Sequence, residues 1–150
     1  MGNNLPVYVF DSYALLAYLG GEAGMVRVQD ILTESAQGKC TIMLSLINLG
    51  EVLYITERGH GIPKAQTVLA AVEQLPIQIM PATRDAVFSA AHIKANHTVS
   101  FADAFAVAAA QEQGGTILTG DPEFEAVHEM VQVEWLPKAG GKYGDPPSGR

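Results

Sequence analysis

Most of the 16 acidic residues in this 150-residue chain lie in polar stretches where solvated carboxylates belong, and four do not. Glu51 is the only charged residue between Lys39 and Glu57, inside the apolar run Leu46-Ile47-Asn48-Leu49-Gly50-Glu51-Val52-Leu53-Tyr54-Ile55. Asp103 is the only charge ahead of Glu112 in Ser100-Phe101-Ala102-Asp103-Ala104-Phe105-Ala106-Val107-Ala108-Ala109-Ala110. Asp11 directly follows Val7-Tyr8-Val9-Phe10, and Asp121 follows Thr116-Ile117-Leu118-Thr119-Gly120. A helix apolar nearly all round is mostly buried, and carboxylates are almost never fully buried unless paired or bound to a metal. Two carboxylates about 5 Å apart repel by roughly 3 kcal/mol at an effective dielectric of 20. Should the four converge, they stay ionised together only around a cation. Hard oxygen donors suit Mg²⁺ or Mn²⁺, and such a centre activates water and stabilises charge on a phosphodiester. Each acid also has a local explanation. Asp11 and Asp121 suit helix N-caps, the latter with Pro122 at the first helical position. Asp103 gains from the helix dipole in a first turn, and Glu51 can reach out to solvent.

The elements that must position these groups read as an alternation. Strands are predicted at residues 7–10, 41–44, 77–80, 116–119 and, as an edge, 131–135. Helices are predicted at 13–19, closed by Gly20-Gly21, and at 22–36, with Met25, Val28, Leu32 and Ala36 at helical spacing. A third, capped by Ser45, runs to about Arg58 and closes at Gly59. A fourth restarts at Gly61-Ile62-Pro63 and runs through Gln74. Residues 83–96 and a Ser100-capped stretch to Gln113 follow, and Asp121-Pro122 opens a short helix to about Met130. Short apolar strands separated by helices imply right-handed crossovers and a parallel sheet covered on both faces. The carboxyl ends of such strands face the ligand crevice, which puts Asp11 and Asp121 at the same end.

Composition bounds the rest. A hydrophobic fraction of 48% with 17% charged residues describes a folded chain, and 150 residues suit one domain with a substantial core. Mean hydropathy is +0.14, yet no apolar run approaches the roughly 18 residues of a membrane span. The first residues carry no basic stretch before an apolar one, so no signal peptide is expected. A single cysteine, Cys40, excludes an internal disulfide and a Cys-rich zinc site, and a reducing cytoplasm is the expectation. The net charge of −7 argues against bulk attraction to nucleic acid, but not against a phosphate held through a metal ion. Residues 138–150, rich in Gly and Pro, are expected to be a mobile tail after a domain at 1–137.

The chain resembles the PIN-domain nucleases, and most closely the VapC-type toxins of prokaryotic toxin–antitoxin pairs. The resemblance covers about residues 5–136. It rests on Val9-Phe10-Asp11-Ser12-Tyr13-Ala14-Leu15-Leu16-Ala17-Tyr18-Leu19, Asn48-Leu49-Gly50-Glu51-Val52-Leu53-Tyr54, Ser100-Phe101-Ala102-Asp103-Ala104 and Ile117-Leu118-Thr119-Gly120-Asp121-Pro122-Glu123-Phe124, in that order. It implies a three-layer α/β/α sandwich on a parallel sheet of four or five strands. It also implies an acidic metal-binding set of Asp11, Glu51, Asp103 and Asp121. Asp11 and Asp103 would ligate directly, Glu51 and Asp121 would complete the site or hold metal-bound waters, and Ser12 and Thr119 would hydrogen-bond those acids. The implied reaction is Mg²⁺- or Mn²⁺-dependent hydrolysis of single-stranded or loop RNA, leaving 5′-phosphate and 3′-hydroxyl ends. The implied partners are a second copy in a homodimer and a cognate antitoxin that often inserts a basic side chain into the site. Tyr13 departs from the resemblance, because many relatives carry a small hydroxyl residue there. Its ring would narrow the groove or stack on a base.

Other groups read as structural. His60, His92, His97 and His128 show no zinc spacing, and Cys40 has no adjacent base. Arg58, Lys64, Arg84 and Lys94 are scattered and read as solvated charges. Tyr18, Phe101 and Phe105 read as core. A second functional reading is a catalytically inactive or regulatory metal-binding α/β module acting through a partner, with a receiver domain as the known type. A receiver needs paired acids near the first strand and a Lys after the fifth. Asp11 has no acidic neighbour, and only Lys138 lies near that strand's end. A D-x-D phosphatase fails as well, because Asp11-Ser12-Tyr13 lacks the second Asp.

Overall fold

A computed structural model describes residues 4–138. Among these, five strands form one parallel sheet: β1 (Val7–Phe10), β2 (Thr41–Ser45), β3 (Gln78–Met80), β4 (Thr116–Thr119) and β5 (Gln132–Trp135), in the order β3-β2-β1-β4-β5. The connecting helices are α1 (Ser12–Leu19), α2 (Met25–Ala36), α3 (Leu46–His60), α4 (Ile62–Glu73), α5 (Arg84–Asn96) and α6 (Phe101–Gln113). A 3-10 helix spans Pro122–Val127. The predicted tail lies almost wholly outside the described residues. Among the described residues no helix is long and apolar enough to cross a membrane.

Period-2 alternation splits the strands between two cores. Val9 pairs with Met43 and Ile117, and these three pack with Ala90 and Ile93 of α5 and Ala104, Phe105 and Val107 of α6. Phe10 pairs with Leu44 and Leu118 and faces the other way, onto Leu15 of α1, Val28 and Ile31 of α2, Leu49 and Val52 of α3, and Val68 and Val72 of α4. The result is the three-layer α/β/α sandwich, with five strands. The chain winds outward from β1 through β2 to β3, crosses back over the sheet as α5 and α6, and resumes on the far side of β1 as β4 and β5. That reversal lies between β1 and β4, and the crevice beyond their carboxyl ends is where open parallel sheets bind ligands.

Several boundaries differ from the sequence reading, each for a local reason. The third helix does not stop at Gly59. It continues to His60 and ends at Gly61, whose φ of 91° lies in the region that favours glycine. Residues 22–24 form turns instead of helix, so α2 begins at Met25. The segment after Asp121 is a 3-10 helix that ends at Val127, short of Met130. α3 is not buried all round: Asn48, Leu49, Val52 and Thr56 face inward, while Leu46, Tyr54 and Ile55 are exposed. Phe105 is core as expected, whereas Phe101 is exposed and meets Phe105 edge-on at 5.1 Å between ring centroids.

Candidate active site

The helix caps bring the acids to the β1/β4 crevice. Asp11 leaves β1 as the N-cap of α1, its Oδ1 accepting from the Ala14 N–H at 2.9 Å. Its Oδ2 accepts from the Thr119 hydroxyl at 2.5 Å, across from the end of β4. The same hydroxyl oxygen accepts from the Asp121 N–H at 2.9 Å, and Asp121 Oδ1 caps the 3-10 helix by accepting from the Glu123 N–H at 2.9 Å. Ser100 caps α6 by accepting from the Asp103 N–H at 3.1 Å. Asp103 therefore sits in a first turn, with its carboxyl close against that of Glu123. Glu123 in turn accepts from the Ser100 N–H at 3.1 Å through Oε1. Carboxylate oxygens of Asp103, Asp121 and Glu123 all lie within 4.8 Å of one another.

Burial and crowding set the charge of this cluster. Asp11 is 1% exposed, and that burial raises its pKa from 3.8 to about 7 despite the hydrogen bonds from Thr119 and Ala14; the charge on Asp121 pushes the same way. Asp103 is pushed well above the carboxylate range by burial, by its hydrogen bond with Glu123, and by the charges of Asp11, Asp121 and Glu123. Glu123 moves down, because Asp103 donates to it. Burial and the neighbouring carboxylates thus favour the protonated form of Asp103 and the ionised form of Glu123.

Glu51 stands apart from the three clustered acids. Its Oε1 accepts from the Ser12 hydroxyl at 2.5 Å, on the partly exposed side of α3. Asn48, fully buried, donates from Nδ2 to Ser12 Oγ at 3.2 Å and to the Ala102 carbonyl at 3.3 Å. Ser12 and Ala102 adjoin Asp11 and Asp103 in the chain, so Asn48 ties α3 to the two segments that carry those acids. Asn48 Oδ1 is a buried acceptor without a hydrogen-bond partner, which ordinarily costs about 1–3 kcal/mol.

Of the predicted site residues, Asp103 and Asp121 are brought together, Asp11 lies within electrostatic reach of both, and Ser12 and Thr119 each hydrogen-bond an acid. Sequence reasoning missed Glu123 and Asn48. Two signals marked them: an acid two residues beyond a capping Asp, and an amide in an otherwise apolar run. The Tyr13 ring lies half-buried against the Gly120 backbone. Arg58, Lys64, Arg84 and Lys94 are exposed, and Lys94 Nζ donates to the Val99 carbonyl at 3.0 Å beside the start of α6. Cys40 is buried against the Ile31 carbonyl, as a structural thiol would be.

The donor chemistry fits a divalent ion. Three hard carboxylates within 4.8 Å are within reach of a single cation that holds oxygens at about 2.1 Å. The proton on Asp103 occupies the place of positive charge that such an ion would supply.

Known proteins share the fold. VapC20 of Mycobacterium tuberculosis, described as a sarcin–ricin-loop-cleaving toxin, is 23% identical, with 81% of this chain and 94% of that chain covered and a TM-score of 0.62. DNA-bound VapBC of Salmonella typhimurium matches at 15% identity over 87% of this chain and 98% of that one, with a TM-score of 0.69. FitAcB of Neisseria gonorrhoeae matches at 19% identity over 84% and 95%, with a TM-score of 0.62. Comparison with curated proteins by sequence finds no match. The family model of the PIN domain, however, matches residues 8–130, and the chain belongs to that family.

Proposed function

We propose that this protein is a divalent-metal-dependent endoribonuclease and the toxin of a type II toxin–antitoxin pair. The observation that carries the reading is the meeting of Asp103, Asp121 and Glu123, with Asp11 beside them, at the β1/β4 crevice of a PIN domain. Asp103, Asp121 and Glu123 would hold Mg²⁺ or Mn²⁺ with Asp11 as the adjoining carboxylate. Glu51, held by Ser12, would reach the site through water. The bound ion would activate a water and neutralise charge on the phosphodiester. Thr119 fixes Asp11 and the Asp121 backbone with one hydroxyl, so two acids from different strands keep their spacing. Asp103, whose burial favours the protonated form, would be ionised when holding the ion. Water attacks phosphorus, the bond from phosphorus to the 3′ oxygen breaks, and that oxygen takes a proton, leaving 5′-phosphate and 3′-hydroxyl ends.

Structured or loop RNA is the proposed substrate class, in keeping with the loop-cleaving relative. The proposed partners are a second copy of the chain and an antitoxin, in keeping with the VapBC complexes that share the fold. The catalytic unit is proposed to end near residue 137, and the location to be cytoplasmic. The test is incubation of purified protein with structured RNAs and Mg²⁺ or Mn²⁺, beside Asp103→Asn and an EDTA control. Cutting that needs the metal and is lost in the variant is expected. Equal cutting by both proteins would point to a contaminant, and antitoxin binding without any cleavage would favour the inactive module.

A further inference from the structure

We infer that Tyr13 is a positioning residue for Asp121, acting through the backbone of Gly120. The inference rests on the cation site proposed above. Gly120 is buried between Thr119, which ends β4, and Asp121, which caps the 3-10 helix. It is not among the glycines with positive φ, so backbone conformation does not call for glycine there. Space does. A Cβ on Gly120 would stand 2.4 Å from Tyr13 Cε1, 2.5 Å from Cζ and 2.8 Å from Oη, closer than packed carbon atoms approach. The aromatic ring therefore occupies the volume where any other residue would place its side chain.

Two points of the β1–α1 turn thus hold the β4–Asp121 turn. Asp11 receives the Thr119 hydroxyl, and two residues on, Tyr13 covers Gly120. Between them the peptide that carries Asp121 is fixed on both sides, and with it the spacing of Asp121 from Asp11, Asp103 and Glu123. Glycine is the most flexible residue in the chain's repertoire, so a loop containing Gly120 relaxes once the ring is removed. The bulky side chain that departs from the family resemblance is, on this account, what makes Gly120 necessary.

The experiment measures Mn²⁺ affinity by calorimetry and, separately, amide exchange across residues 119–124 in EDTA. The proteins are wild type, Tyr13→Phe, Tyr13→Ala, Gly120→Ala and the Tyr13→Ala/Gly120→Ala double variant. Tyr13→Ala is expected to bind Mn²⁺ about tenfold more weakly, within the range seen when groups supporting metal ligands are removed. It should also exchange faster in the loop. Tyr13→Phe keeps the ring over Gly120 and loses the hydroxyl with its contact, so it separates the two, and affinity and loop exchange nearer to wild type than those of Tyr13→Ala are expected. Gly120→Ala must displace the ring, so its loss should resemble that of Tyr13→Ala, and the double variant should be no worse than either single. A merely structural tyrosine would lower the melting temperature and leave affinity and loop exchange unmoved, and that result, or additive losses in the double variant, would overturn the inference. If Tyr13→Ala does not fold, Gly120→Ala and Tyr13→Leu carry the same comparison. Wild-type protein that takes up no Mn²⁺ would overturn the cation site itself, and the metal-free exchange data would still decide whether Tyr13 holds the loop.

Discussion

Replacing Asp11 by Asn should stabilise the ion-free protein at alkaline pH and fail to do so in acid. Asp11 is buried, and its pKa rises from 3.8 to about 7 on folding. The folded state therefore favours the protonated carboxyl. Below the unfolded value both states are protonated and the group costs nothing. The penalty grows as pH climbs from about 4 and is complete above about 7. A rise of that size corresponds to about 4 kcal/mol of charge burial. Asn removes this cost and keeps an oxygen for the Ala14 N–H, but its amide must meet Thr119 Oγ1, which now has to accept. Remaking that contact costs about 1–2 kcal/mol. The variant should thus be more stable than wild type by about 2 kcal/mol at pH 8 and equal or less stable at pH 4.

Urea unfolding in EDTA at pH 4, 6 and 8 reads this as a difference between two proteins in which distant titrations cancel, while Asp103, which feels the Asp11 charge, relaxes in the same direction. Adding Mn²⁺ at pH 8 should reverse the order. An ion present at a hundredfold excess over its dissociation constant stabilises by about 2.7 kcal/mol, and only the wild type binds it well. A stability difference that does not change with pH, or a wild type more stable at every pH without metal, would refute the electrostatic account of Asp11.

The remaining expectations concern the rest of the cluster. Glu123→Gln should weaken Mn²⁺ binding more than Glu51→Gln, since Glu123 shares the space of Asp103 and Asp121 while Glu51 is engaged by Ser12; calorimetric titration of both variants checks the order, and the reverse order would return Glu51 to the ion. Mn²⁺ loading at pH 7 should release protons, because Asp103 is held protonated by burial and by Glu123. Titration heats in buffers of different ionisation enthalpy measure that release, and identical heats in all of them would contradict it.

Much of this was legible in the sequence because it is local. Short β-branched runs gave the strands their places, and Ser45 and Ser100 gave α3 and α6 their starts. Asp11 and Asp121 were legible twice over, as caps and as acids at strand ends, and the structure gives them both positions. Glu123 was marked only by its place two residues beyond a capping Asp, because an exposed acid in a short helix otherwise looks like any surface residue. Only the packing of that turn against the start of α6 brings it to Asp103. Glu51 was misleading in the opposite sense. Its apolar neighbours suggested enclosure, but Tyr54 and Ile55 are exposed, and the side chain meets a hydroxyl at the edge of the site. Hydrophobicity along a helix says how much can be buried, and the neighbouring elements decide which face is.

Capping and ion binding are usually weighed as rival explanations for an acid at a helix start, and in the proposed site the two are compatible. Asp11 caps α1, Asp121 caps the 3-10 helix, and Asp103 lies in the first turn of α6. The N-terminal ends of these elements meet at the β1/β4 crevice, so unpaired backbone N–H groups bring partial positive charge to the place where carboxylates crowd. That field is worth about 0.3–1 kcal/mol per exposed carboxylate and up to about 2 where partly buried, less than the cost of burying Asp11. The shortfall is what leaves Asp11 titrating near 7 and Asp103 protonated. A fold that fully neutralised its acids would have no use for an ion. This one leaves burial uncompensated at Asp11 and Asp103, the condition under which a divalent cation would add stabilisation.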